Sequence, residues 1–372
     1  MDFNDQDIVF KVAINMIPGV GAVGIRRLTA DCGSERALFE NLDDLAGGGK
    51  VHPKIAEAIC SCNLLDKAKA QIEICNRHNI NMLYILDRNY PQRLAKCDGA
   101  PTLLYSLGNV NFDRMRSIAV VGTRSCDADG KNNIHSLIEK LKADNYNVII
   151  VSGLALGADT FAHQAALEFG LPTVAVLGHG LNMVYPAENR QLAGDIVHSG
   201  GALITEYYFG QQVNKNNFPR RNRIIAGLCD ALIVAQSKAK GGALITAEYA
   251  RDYRREVFAF PGRVCDKLYA GCNHLIANRM ASLISNADDL IKTMGWKINK
   301  YSEATQAELK FIELTSEQAS IIDALHANGA SDVDTLALLT MMTEEEVASL
   351  LITMEFEDLV TSLPGKMYAS KV

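Results

Sequence analysis

Between residues 117 and 260 the chain repeats one pattern: short, almost wholly apolar runs separated by helix-length segments. The runs are SIAVVG (117–122), VIIV (148–151), TVAVLG (173–178), ALIT (202–205), DALIVA (230–235) and EVFAF (256–260). They lack the apolar–polar alternation of a half-exposed sheet, so they read as strands covered on both faces. Strands of that kind alternating with helices predict an α/β fold built on a doubly wound parallel sheet. In such sheets ligands bind beyond the carboxyl ends of the strands. The residues at those ends are therefore the functional inventory.

After SIAVVG, which ends in Gly122, come Thr123 and Arg124; after VIIV come Ser152 and Gly153, then Gly157, Asp159 and His163. TVAVLG leads to His179, Asn182 and the Tyr185-Pro186 pair, and ALIT leads to Glu206 and a loop carrying Lys215. Beyond DALIVA stand Lys238, Lys240, Gly241 and Gly242. Glycines let backbone N–H groups face a ligand at a helix start, and the basic residues supply charge, so this edge reads as phosphate-facing. Its densest segment is FPRRNRIIAGL, from Phe218 to Leu228. There Arg220, Arg221, Asn222 and Arg223 precede a buried helical run, where the helix dipole already favours an anion. Phe218 adds a flat apolar face, and cations beside an aromatic are what backbone tracking and base stacking on single-stranded nucleic acid require. The other reading is that the arginines pair with the protein's own carboxylates. Arg223, deeper towards IIAGL, fits that role, whereas Arg221 is the first choice for a phosphate.

Several chemistries lack their signatures. VVGTR is followed by Cys126 and Asp127 rather than a glycine-rich turn, and LGHGLN does not complete a dinucleotide fingerprint. Ser152 has no G-x-S-x-G frame. His163, among Ala and Leu neighbours, reads as a packed histidine, while Asp159 suits a helix cap near Thr160 as well as a ligand. Glu206 and Glu248 are available as a carboxylate pair, but no spacing demands one. The nine cysteines are odd in number and scattered, without a CxxC pair, which predicts neither a disulfide framework nor a zinc site. No cofactor or metal is expected. There is no apolar run long enough to span a membrane and no signal-peptide layout at MDFNDQDIVF, so a cytoplasmic protein is expected.

At 372 residues, two or three domains are expected. Residues 1–80 read as a helical domain whose segment MIPGVGAVGIRRL resembles a helix-hairpin-helix. Its glycines expose backbone amides that either grip phosphates or simply connect two helices, and Arg26 and Arg27 lean towards phosphate. The central domain spans 81–298, and a polar linker covers 299–313. From residue 314 three helices and a hairpin turning at Pro364-Gly365 give a winged-helix pattern. Residues 312–372 carry a net charge of −9 and residues 1–311 one of +3, within a total of −6. A mildly basic body is compatible with nucleic acid. Glu344, Glu345 and Glu346 open the third helix of the tail, where a DNA-reading helix needs cations, so a protein partner or a regulatory role is expected there.

VAVLGHGLNMVYPAENRQLA, GGALITE, FPRRNRIIAGL, KGGALITAEYA, VFAFPG and AGCNHLI occur in an order that resembles the DprA/Smf proteins, the DNA-processing proteins of bacterial transformation. The match spans most of residues 82–290, and the outer domains are also similar. The resemblance implies an extended Rossmann-like sheet that binds single-stranded DNA, forms a homodimer and loads the RecA recombinase, without turning over a substrate. On this chain the family's G-S/T-R arginine falls on Arg124, its groove lysine on Lys215 and its stacking phenylalanine on Phe218. One position departs: SGLALGAD has Leu156 where the family has an arginine, so a phosphate contact from that loop is in doubt. A rival resemblance is to the cytokinin-activating phosphoribohydrolases. GGALITAE is similar to their GGxGTxxE site, with Glu248 then catalytic and Arg221 holding a phosphate, although Thr246 stands one position late.

Overall fold

The computed structural model describes residues 7–113, 115–297, 315–356, 359–363 and 367–370. The chain divides into two compact units, Met1–Lys300 and Tyr301–Val372. The expected linker at 299–313 and the turn at Pro364-Gly365 lie outside the described residues.

The first unit is built on a nine-stranded sheet. Its strands are β1 (Asn81–Tyr84), β2 (Leu103–Gly108), β3 (Arg116–Gly122), β4 (Val148–Ser152), β5 (Thr173–Val176), β6 (Ala202–Thr205), β7 (Ala231–Gln236), β8 (Glu256–Ala259) and β9 (Ser282–Leu283). They lie in the order β1-β2-β6-β5-β4-β3-β7-β8-β9. From β6 to β9 every pairing is parallel, whereas β2 pairs antiparallel with both β6 and β1. All six expected strands are present. β1, β2 and β9 are additional to those six and stand outside the strand–helix alternation: β1 and β2 form an antiparallel extension, and β9 has two residues.

The central strands are buried along their length, as their unbroken apolar runs require. Helices Ala128–Ala143, Ala158–Glu168, Asn217–Leu228 and Gly242–Asp252 cover them, and Ile134, Ile138, Ala162, Ile225 and Ala247 join the strand side chains in one core. The chain adds β4, β5 and β6 on one side of β3, then returns to place β7 on its other side. The loops leaving β3 and β7 thus part in opposite directions, opening the crevice in which α/β sheets hold ligands.

The helices between Ile8 and Arg77 have their own core, in which Ile14, Leu38 and Ala68 pack with Met82 of β1 and Leu103 and Tyr105 of β2. The antiparallel extension therefore ties the helical module to the sheet. Residues 15–21 connect helices Ile8–Ile14 and Ala22–Cys32, so Pro18, Gly19 and Gly21 lie in the expected hairpin, whereas Gly24 stands in the first turn of the second helix. In the second unit, helices Ser316–Asn328, Val333–Thr340 and Glu344–Phe356 enclose a small apolar core with a three-stranded sheet, β10 (Ser331–Asp332), β12 (Met367–Ser370) and β11 (Val360–Leu363). This is the expected winged helix. Among the described residues no helix is long and apolar enough to cross a membrane, and no cluster of His, Cys, Asp or Glu is placed to hold a metal.

Candidate nucleic-acid interface

At the switch point lies a cleft of about 620 Å³. The end of β3 and the loop after it contribute Gly122, Thr123 and Arg124, and the loop after β7 and the helix start behind it contribute Lys238, Lys240, Gly241 and Gly242. Lys215 precedes helix Asn217–Leu228, and Phe218, Arg221 and Asn222 stand in the first two turns of that helix, whereas the sequence pattern predicts them before it. Two loops and one helix start, distant in sequence, thus deliver one basic wall. Arg124, Lys215, Lys238 and Lys240 are exposed, so their ammonium and guanidinium groups remain hydrated and free to meet an anion.

Close backbone contacts hold the loops. Thr123 N–H donates to Gln236 O across β3 and β7 at 2.8 Å, and Ala158 N–H donates to Thr123 O at 3.2 Å. Asp127 caps helix Ala128–Ala143 by accepting from Gly130 N–H at 2.8 Å and also accepts from the Gln236 side-chain amide at 2.8 Å. Gly157 has φ +80°, and a Cβ there would stand 2.4 Å from Thr123 O. Only glycine fits.

Phe218 is half-buried on the cleft floor. The Arg124 guanidinium lies 5.9 Å from its ring centroid, and the Tyr185 ring lies 5.7 Å away with a 34° tilt. The site thus combines an aromatic face with a cation beside it.

The remaining expected residues separate by environment. Arg221 is only 4% exposed. Its Nη1 donates to Gly153 O at 2.8 Å and to Val176 O, and its Nε donates to Asn222 Oδ1 at 3.3 Å, which ties the helix to the ends of β4 and β5. Burial lowers its pKa to about 10, with Asp159 opposing the shift, so it stays charged at neutral pH. Arg221 is thus first a structural residue that touches the cleft with what is left of its guanidinium. Arg223 is bidentate with Glu206, at 2.8 and 2.6 Å. Burial works against its charge, and Glu206 more than offsets that. Glu206 is consumed by this pair, and Glu248 is not among the residues lining the cleft.

Ser152 is fully buried and donates to Val120 O at 2.6 Å, so it supports the sheet rather than facing solvent. Gly153 lines a smaller notch beside the cleft. Arg220 and Arg223 line a second cavity of about 820 Å³, together with Pro18, Gly19 and Gly21 of the N-terminal hairpin and Gly24 just after it. His163 is packed as expected: Thr173 donates its hydroxyl proton to Ile150 O, so His163 Nδ1–H donates to Thr173 Oγ1 at 2.7 Å. Its Nε2 has no hydrogen-bond partner among the described residues, and burial pulls its pKa down to about 3. Asp159 accepts from Ala155 N–H at 3.2 Å instead of capping the helix, whose N-cap is Gly157. Lining residues that the sequence reading did not select include Ile245 and Thr246. Their signal was their place one turn into the helix that follows Gly241.

Two family models match the chain: "DNA recombination-mediator protein A" over residues 81–295 and "DprA winged helix domain" over residues 302–366. A curated relative, the DNA processing protein DprA of Streptococcus pneumoniae, is 43% identical over 207 residues, covering 56% of this chain and 72% of the relative. The X-ray structure of DprA from Streptococcus pneumoniae superposes with a TM-score of 0.62 at 33% identity, covering 76% of this chain and 97% of that one. DNA processing protein A from Helicobacter pylori, whose structure was solved for its single-stranded DNA binding mode, superposes with a TM-score of 0.52 at 27% identity, covering 58% and 95%. The nine-stranded sheet lies within the first matched span and most of the winged helix within the second, and the chain belongs to the DprA/Smf family of DNA recombination-mediator proteins.

Proposed function

We propose that this protein binds single-stranded DNA in the cleft between the loops after β3 and β7, protects it, and presents it to the RecA recombinase during DNA uptake or recombination. The observation that carries the reading is the exposed Arg124, Lys215, Lys238 and Lys240 converging on a cleft floored by Phe218. The cations follow phosphates, which carry no sequence information, and Phe218 stacks a base. That the Helicobacter pylori relative was studied for single-stranded DNA binding supports the same ligand. A homodimer would place two clefts on one strand and raise avidity through effective concentration. Cytoplasmic action follows from this role.

No turnover is part of the proposal. A phosphoribohydrolase needs a free carboxylate in the cleft, and here Glu206 is paired with Arg223, Glu248 stands outside the lining residues, and Asp159, which does line the cleft, is buried and accepts from Ala155 N–H. Titrating Arg124→Ala and Phe218→Ala with a labelled oligothymidine at several salt concentrations tests the assignment. Arg124→Ala should weaken binding and lower the salt slope by about one phosphate's share. Phe218→Ala should cost about 1–3 kcal/mol with the slope preserved. Unchanged affinity and slope in both variants would sink it.

A further inference from the structure

The second unit is small, yet it carries five of the exposed large apolar side chains among the described residues: Leu338, Leu339, Met341, Ile352 and Leu363. Scattered singly, such groups need no explanation. Three of these, however, are gathered at the end of helix Val333–Thr340 and on the residue after it, with Leu338 82% exposed, Leu339 48% and Met341 96%. The same helix already supplies the core with Leu336 and Ala337. The outward face is therefore surplus to packing.

Met341 is the most informative of the three. It closes the helix in the left-handed conformation, φ +56°, where glycine or asparagine is favoured because a larger side chain crowds the backbone. Its side chain is almost wholly in solvent, so neither backbone geometry nor the core accounts for a methionine here. Methionine is common on surfaces that receive another protein, because its flexible stem adapts to the partner.

Met341 leads directly into a groove of about 440 Å³ lined by Met342, Leu350 and Ser349 and by Glu317, Glu345 and Glu346. Met342 and Leu350 are partly buried against the core of the unit, which gives the groove apolar surface. Glu346 is taken up in capping helix Glu344–Phe356, accepting from Thr343 N–H at 2.9 Å and from the Thr343 hydroxyl at 2.8 Å. Glu345 has no hydrogen bond or ion pair among the described residues, and no lysine or arginine stands among the described residues of this unit. Apolar surface beside uncompensated carboxylates fits lysine and arginine, whose methylene stems lie on apolar groups while the charged head stays with an anion. The same charge turns away a DNA strand or an anionic lipid surface, and a second copy would bring the same carboxylates to the same face.

We propose that this face of the winged helix docks a cationic amphipathic segment of a partner protein. Apolar anchors of the segment cover Leu338 and Met341, and a lysine or arginine enters the groove with its stem on Met342 and Leu350 and its head between Glu317 and Glu345. The apolar contacts supply affinity, and the carboxylates select a basic partner.

The test uses the full chain and its Met341→Gly and Glu345→Gln variants. The probes are a labelled peptide of about fourteen residues with leucine and lysine at amphipathic helical spacing, a scrambled peptide of the same composition, and an oligothymidine. Glycine suits the left-handed position, so Met341→Gly should melt no lower than the unaltered chain. It should weaken the amphipathic peptide about tenfold, the scale of one anchor residue. Glu345→Gln should weaken it several-fold at low salt and by less in about 0.5 M salt. The scrambled peptide should bind more weakly and respond to neither change, and oligothymidine affinity should be the same in all three proteins. An amphipathic-peptide affinity that neither variant moves, or a scrambled peptide that binds as tightly, overturns the proposal. Oligothymidine affinity lost in both variants would give the face to nucleic acid, and self-association abolished by Met341→Gly would give it to a second copy. Failure of the unaltered chain to bind oligothymidine would overturn the cleft reading alone.

Discussion

Arg221 and Arg223 stand two positions apart on one helix and have different partners. Arg223 ends in a bidentate pair with Glu206, whereas Arg221 is anchored by backbone carbonyls and balanced at a distance by Asp159. A helix of 3.6 residues per turn separates such neighbours by about 200°, which is why one sequence motif serves two places. His163 belongs to the same buried layer, and Arg221 adds to the burial that depresses its pKa. Its folded pKa of about 3 lies below the ordinary value of about 6.5, so only the unfolded chain gains a proton between those limits. The stabilisation from keeping it neutral is complete above pH 6.5 and is lost as pH falls towards 3. At pH 5 the loss should be of order 2 kcal/mol relative to pH 7. Replacing it with a group that does not titrate, His163→Gln, should shrink the difference between urea midpoints at pH 7 and pH 5, whatever the variant's absolute stability. Equal differences in the two proteins would assign the acid sensitivity to other groups.

Six strands of the sheet were legible because each carries its own unbroken apolar run, and the place of the candidate site was legible because the switch point is a property of their order. Lys238, Lys240 and Arg124 could be placed on one edge from the strand ends alone. What escaped were features fixed by contacts between segments distant in sequence. LLYSLG becomes β2 only by pairing antiparallel with β6, and nothing local marks Arg221 as the residue whose guanidinium Gly153 and Val176 receive. The loop between β4 and helix Ala158–Glu168 is of the same kind. Gly157 is required there because Thr123 O and Arg124 O pass within 2.6 Å of where a Cβ would be. Gly157→Ala should therefore cost about 2–4 kcal/mol in urea unfolding, from a backbone region closed to alanine and from the clash. Because the displaced atoms belong to the Arg124 loop, single-strand affinity should fall with it. Gly194, in the middle of helix Arg190–His198 with nothing near its Cβ position, is the matched control. Gly194→Ala should leave binding unchanged and raise stability by about 0.5–1 kcal/mol through helix propensity. Unaltered binding by Gly157→Ala would show that the loop tolerates a shift and that Arg124 does not depend on it.

At the scale of the whole molecule the charge is divided between the two units. Residues 312–372 carry −9 against +3 for the rest, and the winged helix presents Glu344, Glu345 and Glu346 as exposed side chains in the first turn of its third helix. A helix that enters a groove of DNA supplies cations to phosphates and base edges. This one would repel them. On the proposed single-stranded DNA reading, the acidic unit would act on the strand as a like charge linked to the basic body, a long-range effect that slows encounter and is screened by salt. A chain ending at Lys300 keeps the whole sheet, its cleft and the N-terminal helices, because every strand from β1 to β9 and both of their cores lie before that residue. It should melt with the same main transition as the full chain, and at low salt it should associate with an oligothymidine several-fold faster. In about 0.5 M salt, where the screening length is only a few Å, the two rates should converge. Slower association after truncation, persisting at high salt, would mean that the winged helix touches the strand directly, and the acidic face would then need another explanation.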